Sequence, residues 1–220
     1  MSKPTARVYI DGFNLYRRCL EKHPGVKWLD PVALVREIMN DFYVEHVHYF
    51  TAKIKPNASS DKQAPQRQQV YLRALATLDD LTVTFGQFRT DRRLMLKHPL
   101  RKTFCEKFDD KVHVRKVEEK GSDVNLAAHL IYDALTLDAS HFVILSNDSD
   151  LAGALRILRG HGVNTGIIFP METARSSKQL MKTDPIFTGF VKRESLQAAQ
   201  LPDIVIDSAG REIHRPPSWA

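Results

Sequence analysis

Hydrophobic residues recur along this chain with two different periods, and the two periods alternate. Apolar runs typical of strands lie at positions 7–10, 44–52, 81–88, 112–119, 141–145 and 163–169. Segments typical of amphipathic helices lie between or after them, at positions 31–38, 66–78, 122–135, 151–162 and 176–182. Strands that alternate with helices indicate a mostly parallel sheet that is covered on both faces. The pattern therefore predicts the α/β class.

The same pattern predicts one domain with a tail. Residues 1–195 contain no internal repeat and no linker, whereas residues 196–220 are rich in proline and are expected to pack on the domain surface. No apolar run approaches the ~18 residues that a membrane helix requires. No signal-peptide region precedes the first strand. We therefore expect a cytoplasmic protein that has no membrane partner.

The two cysteines, Cys19 and Cys105, lie far apart and form no C-x-x-C pair. This spacing disfavours a disulfide framework and a cysteine zinc site.

Positive charge is concentrated in one segment of the chain. The net charge is +6, and the segment 89–120 contains 11 Lys or Arg residues against 6 Asp or Glu residues. Such a segment is either a solvated loop and exposed helix face or a surface that attracts polyanions. Under the second interpretation, Arg92 and Arg93 would contact phosphates.

Aspartates follow predicted strands or begin predicted helices at three separate places. Asp11 ends the first strand, Asp148 and Asp150 follow the strand 141–145, and Asp123 begins a helix. Ligand sites of open α/β sheets lie beyond the carboxyl ends of the strands. Two carboxylates ~4 Å apart repel by about 4 kcal/mol at an effective dielectric constant near 20. A cluster of these aspartates is therefore expected to bind Mg²⁺ or Mn²⁺, which prefer oxygen ligands and support phosphodiester hydrolysis.

Each aspartate also has a purely structural interpretation. Asp11 could cap a helix or form a turn, and Asp148 or Asp150 could cap the helix that follows them. Asp123 could stabilise the positive end of a helix dipole. A shared metal site explains all of the positions together, and we favour it for that reason.

Three segments resemble the successive motifs of the NYN family. They are "VYIDGFNLY", "EEKGSDVNLAAHLIYDAL" and "FVILSNDSDLAGALRIL", within a resemblance that runs from about residue 7 to residue 190. NYN domains are nuclease-type domains related in fold to PIN ribonucleases and grouped with the LabA-like proteins. The resemblance implies a three-layer α/β/α sandwich, PIN-like and Rossmann-like, with a mostly parallel central sheet. It also implies RNA cleavage dependent on Mg²⁺ or Mn²⁺, with four catalytic, metal-binding residues: Asp11, Asp123, Asp148 and Asp150.

Other residues of these motifs are candidates for supporting roles. Asn14 matches the family's companion asparagine. His129 stands on the helix after Asp123, where related domains often have a further acid, and this departure puts a second metal in doubt. The remaining candidates are polar or basic residues that could contact a phosphate, shape the turns or be exposed: Lys120, Ser146, Asn147, Arg175 and Lys178.

Two further functions remain open at this stage. The resemblance extends to bacterial members that act as 6-hydroxy-3-succinoylpyridine 3-monooxygenases with NADH in nicotine degradation. The chain, however, has no G-x-G-x-x-G turn after a strand and no evident 2-His-1-carboxylate spacing. The other alternative is a noncatalytic RNA-binding domain that keeps the metal pocket. RNA is the expected partner, and the sequence does not decide between a monomer and a homo-oligomer.

Overall fold

A central sheet of seven strands organises the molecule. The computed structural model describes residues 3–54, 61–97, 111–171 and 175–219. The strands are β1 Thr5–Asp11, β2 Tyr43–Ala52, β3 Leu81–Leu96, β4 Lys111–Lys120, β5 His141–Leu145, β6 Thr165–Phe169 and β7 Phe187–Phe190. Their order is β4-β3-β2-β1-β5-β6-β7, and each neighbouring pair is parallel except β3 with β4. The predicted mostly parallel sheet is confirmed.

Helices cover both faces of this sheet. They are α1 Gly12–Leu15, α2 Pro31–Ile38, α3 Ala64–Leu75, α4 Ser122–Thr136, α5 Ala152–Gly160, α6 Lys178–Met181 and α7 Arg193–Ala198. Apolar residues of α2 and α3 belong to one buried cluster, and those of α4 and α5 belong to a second cluster. The strand residues alternate between the two clusters: Val8 and Ile10 face the first, and Tyr9 faces the second. The three-layer α/β/α sandwich is therefore confirmed.

The basic segment differs in part from its predicted structure, although the predicted strand 112–119 is present within β4. Its interpretation as a loop and an exposed helix face is wrong for the described residues, because β3 continues past residue 88 to Leu96 and pairs with β4 in antiparallel register. Valines at positions 112, 114 and 117 lie among polar residues of β4, a composition that favours a strand over a helix. The result is a two-stranded ribbon, Gln87–Leu96 with Lys111–Lys120. Residues 98–110, including Cys105, lie outside the described residues.

The segment after α7 contains a short hairpin. Strands β8 Ile204–Ile206 and β9 Glu212–His214 pair with each other. Trp28 Nε1 donates a hydrogen bond to the Pro202 carbonyl at 2.7 Å, and the Trp28 and Trp219 rings lie 6.4 Å apart. These contacts hold the last residues against the sandwich. The predicted division at residues 195 and 196 falls within α7 and stays a prediction.

One strand of the seven-stranded sheet was not predicted from the sequence. The short strand β7, Phe187–Phe190, lies at the edge of the sheet beside β6. Among the described residues, no helix is both long and apolar enough to cross a membrane.

Candidate functional site

Asp11 lies at the carboxyl end of β1, in the middle of the sheet. It is only 4% exposed. Its Oδ1 accepts a hydrogen bond from the Asn14 backbone N–H at 2.9 Å, and its Oδ2 accepts one from Ser146 Oγ at 2.9 Å. The capping interpretation of Asp11 is therefore correct. It does not exclude a ligand, since each carboxylate oxygen has a second lone pair.

The turn after β5 is held by hydrogen bonds to its own side chains. Ser146 Oγ accepts from the Asp148 N–H at 3.0 Å, and Asp148 Oδ1 accepts from the Asp150 N–H at 3.0 Å. Asp148 thereby caps the 3₁₀ turn Ser149–Leu151 that leads into α5. Because Ser146 contacts both Asp11 and the backbone of Asp148, one hydroxyl group positions two of the predicted acids.

Two asparagines join the loops around this turn. Asn14 Oδ1 accepts from the Asn147 backbone N–H at 3.2 Å. The Asn147 side chain in turn accepts from the Ser177 N–H at 2.7 Å and donates to the Arg175 carbonyl at 3.3 Å. Ser177 caps α6, which begins at Lys178. The asparagines thus bring the segment with Arg175 and Lys178 next to the turn after β5.

Asp123 lies in the first turn of α4, which follows β4, the second strand of the ribbon. The chain turns at Gly121, whose φ of 98° is in the left-handed region that favours glycine. Glu119 then accepts hydrogen bonds from the Ser122 N–H at 3.0 Å and from Ser122 Oγ at 2.8 Å. Ser122 is the first residue of α4, and its hydroxyl donates to Glu119.

Electrostatic repulsion acts among these carboxylates. The pKa of Asp123 is raised to about 6. Burial is the largest cause, followed by the charges of Asp11, Asp148, Glu119 and Asp150. Burial also raises the pKa of Asp11, despite its hydrogen bonds, and the Asp148 charge adds to the increase. Carboxylates from β1, β4, α4 and the turn after β5 therefore influence one another. Glu119 was missed by the sequence analysis, and its only signal was an acid just before the K-G-x-D motif.

The donor chemistry suits a hard cation, although the side chains are not arranged as a complete ligand set. Within the described residues, no group of three or more His, Cys, Asp or Glu side chains is placed to hold a metal ion. The four-aspartate metal site stays a prediction. The available donors are carboxylate oxygens, and Mg²⁺ typically takes one or two of these and completes its coordination with water. The residues fit that mode of binding.

The comparison with known families agrees with this architecture. The NYN domain model matches residues 5–189. The chain belongs to the NYN domain family. Its fold is therefore nuclease-like, and nucleases of this kind typically use divalent metals.

Two individual proteins are similar to this NYN domain. The 6-hydroxy-3-succinoylpyridine 3-monooxygenase HspA of Pseudomonas putida is 32% identical over 239 residues, an alignment that covers 97% of this chain and 74% of HspA. A crystal structure of a protein of unknown function from Vibrio parahaemolyticus superposes with a TM-score of 0.49 at 13% identity. That superposition covers 87% of this chain and 95% of the other.

The residues of the NYN domain that are predicted to contact phosphate differ in their charged neighbours. Lys120 forms an ion pair with Glu118 at 3.6 Å, and Arg93 forms one with the same carboxylate at 3.3 Å. Arg92 lies directly opposite Arg115 in the ribbon. Neither Arg92 nor Arg115 forms an ion pair with a described residue.

The helix after Asp123 adds no further acid to the cluster. The His129 ring lies 4.7 Å from the His48 ring, against the sheet. Asp133 accepts a hydrogen bond from the Tyr9 hydroxyl at 2.7 Å. His129 and Asp133 therefore contact residues of the sheet. Neither supplies the further acid that related domains often have on this helix.

The raised pKa of Asp123 predicts an unusual dependence of stability on pH. The unfolded carboxyl ionises near its ordinary pKa of 3.8, whereas the folded one ionises near 6. Between these values the folded state retains the proton, so this group's contribution to stability falls as pH rises through the window. In EDTA, Asp123→Asn should therefore raise Tm at pH 7.5, and the gain should vanish toward pH 4. Thermal unfolding of both proteins across this pH range is the measurement, and a variant that is less stable at pH 7.5 would contradict the prediction.

Proposed function

We propose that this NYN domain is a ribonuclease that hydrolyses phosphodiesters with Mg²⁺ or Mn²⁺ bound at the carboxyl edge of its sheet. The observation that carries the proposal is the convergence of acidic segments at this edge, where Ser146 Oγ donates to Asp11 Oδ2 at 2.9 Å and accepts from the Asp148 N–H at 3.0 Å. Burial and the neighbouring carboxylates raise the pKa of Asp123, which agrees with this convergence. The neighbouring charges that raise this pKa belong to Asp11, Asp148, Glu119 and Asp150, which are all acidic. A bound divalent cation would neutralise this negative charge.

The residues of the site have separate roles in this proposal. Asp11, Asp123, Asp148 and Asp150 would hold the cation, directly or through water. Asn14 and Ser146 keep the Asp11 carboxylate in one orientation through hydrogen bonds of 2.9 Å from the Asn14 backbone N–H and Ser146 Oγ. The cation would supply positive charge to the phosphate and to the oxygen that leaves.

RNA is the proposed substrate because the ribbon that leads into α4 carries exposed cations. Arg92 and Arg115 lie opposite each other without an acidic partner among the described residues. Like charges in directly opposed positions destabilise a β-ribbon, and a bound phosphate would remove that repulsion. Asn147 also bonds to the backbone of Arg175 and Ser177, which brings the segment with Arg175 and Lys178 next to the turn after β5. Binding that depends on such cations weakens as salt is added.

Cleavage of a labelled single-stranded RNA tests the proposal. We expect products in Mg²⁺ or Mn²⁺, none in excess EDTA, and recovery of activity when metal is restored. Cleavage that persists in EDTA would contradict the metal mechanism. RNA binding without cleavage in both metals would instead identify a noncatalytic RNA-binding domain.

A second candidate is the NADH-dependent hydroxylation of a pyridine compound, which is favoured by one observation. The relative named 6-hydroxy-3-succinoylpyridine 3-monooxygenase is 32% identical over nearly all of this chain. The test mixes protein, NADH, air and 6-hydroxy-3-succinoylpyridine and follows NADH absorbance. A decrease that requires the pyridine would establish this activity, whereas a flat trace from protein that cleaves RNA would exclude it.

A further inference from the structure

A cleft lined by aromatic side chains lies on the face of the sheet opposite α4. Its volume is about 450 Å³, which is the size of a site for a small organic molecule. It opens between α1, the end of β2 and α3. Six aromatic side chains line it: Phe13, Tyr16, Tyr49, Tyr71, Phe88 and Trp219. Such walls stack well on a flat ring.

The polar atoms that line this cleft include two hydroxyl groups of β2. Tyr49 and Thr51, two residues apart on β2, are each 5% exposed and line the cleft. Neither side chain makes a hydrogen bond with a described residue. Burial raises the pKa of the Tyr49 hydroxyl, so it remains a donor at neutral pH. Both hydroxyl groups can therefore hydrogen-bond to a polar ligand in the cleft.

Basic side chains line the side of the cleft that is formed by α1 and the helical turn after it. The helix continues from α1 into a π-helical turn, Tyr16–Leu20, a rare geometry that is frequent at functional sites. This turn brings Arg17 to the cleft without an ion pair to any described residue. Lys27 Nζ lies 5.5 Å from the centroid of the Tyr16 ring. Arg67 also lines the cleft and pairs with Asp61.

The cleft is connected to the acidic site through adjacent residues. Gly12 and Phe13 line the cleft and directly follow Asp11. A Cβ atom at Gly12 would lie 2.7 Å from the Tyr49 ring, so the ring packs directly on this glycine. The Asp11 charge also raises the pKa of Tyr49. The cleft therefore adjoins the backbone that directly follows Asp11.

We propose that this cleft binds a heteroaromatic ring that carries an anionic group. The ring would lie between the aromatic side chains with its polar edge toward Tyr49 and Thr51, and the anion would lie at Arg17 and Lys27. A nucleotide of RNA and a pyridine with an acidic side chain share this chemistry. Ligand binding follows from the cleft alone, whereas its role in placing a substrate beside Asp11 rests on the function proposed above.

Trp219 lines the cleft, so the ligand can be detected by tryptophan fluorescence. Uridine 5′-monophosphate and 6-hydroxy-3-succinoylpyridine are titrated separately into the full chain. We expect saturable binding of at least one, weakened about tenfold or more by Arg17→Gln, which removes a charge-assisted contact. Tyr49→Phe should weaken it about fivefold and leave Tm unchanged, since that hydroxyl has no intramolecular partner. Arg18→Gln is the matched control, because Arg18 is the exposed neighbour that does not line the cleft.

The outcomes separate the ligand sources and the two proposals. Binding of the nucleotide alone identifies an RNA site, and binding of the pyridine alone identifies a small-molecule site. Absence of binding by both, or binding that Arg17→Gln and Tyr49→Phe leave unchanged, would overturn the inference. Ligand binding in this proposal depends on the residues of the cleft and not on the aspartates. Ligand binding by a protein that cleaves no RNA would therefore reject the ribonuclease and retain the cleft.

Discussion

Asp148→Asn should lower the rate of RNA cleavage by about 10²- to 10³-fold, the usual effect of removing one group that stabilises developing charge. The substitution removes a negative charge that acts on both Asp11 and Asp123. The fold should survive it, because asparagine caps a helical turn as well as aspartate does. The Asp150 N–H, which donates to Asp148 Oδ1 at 3.0 Å, would then donate to the amide oxygen. Cleavage rates at saturating Mg²⁺, compared with Tm, measure the two properties separately.

A matched control removes an equivalent charge from another place. Asp138 is exposed and lies just before the start of β5, at the amino edge of the sheet. Asp138→Asn should leave cleavage within about twofold of the unmodified rate, because exposed charges away from a site are screened. Equal losses in the two variants, or full activity in Asp148→Asn, would contradict the proposed site.

Gly12→Ala should destabilise the fold by about 2–3 kcal/mol, because the methyl group has no room. The new Cβ would lie 2.7 Å from the Phe50 carbonyl oxygen, which is backbone of β2, and 2.7 Å from the Tyr49 ring. Backbone of a central strand cannot move aside cheaply. A loss of this size corresponds to roughly 5–10 °C in Tm for a chain of this length. Thermal unfolding by circular dichroism measures it.

Gly153→Ala is the control for this change. Gly153 lies in the first turn of α5, and a Cβ there would meet no atom within 4 Å. Alanine has the better helix propensity, so this variant should gain about 0.5–1 kcal/mol. The prediction fails if the two variants shift Tm in the same direction.

Much of the fold could be predicted from the order of apolar segments. Strand β5 was predicted with the bounds that the structure shows, since a run of buried residues between helices has few other solutions. Asp30 and Pro31 are a local signal for the start of α2, where the Asp30 side chain accepts from two backbone N–H groups at 2.9 Å. Such signals are local, and they need no knowledge of distant residues.

The residues of the candidate site could be predicted only in part from such local signals. Asp11, Asp123, Asp148 and Asp150 could be named because each follows a strand or begins a helix. Glu119 could not, because its influence on Asp123 depends on the path of the ribbon back to α4.

By itself, the sequence determined the α/β class, the strand ends that carry acids and the membership of the NYN family. These depend on periodicity and short motifs, which are properties of neighbouring residues. Only the tertiary structure decided that the basic segment is a ribbon, that Ser146 contacts both Asp11 and the backbone of Asp148, and that Tyr49 faces a cleft. Strand pairing, burial and the repulsion that raises the pKa of Asp123 arise between residues remote in the chain, so they exist only after the chain has folded.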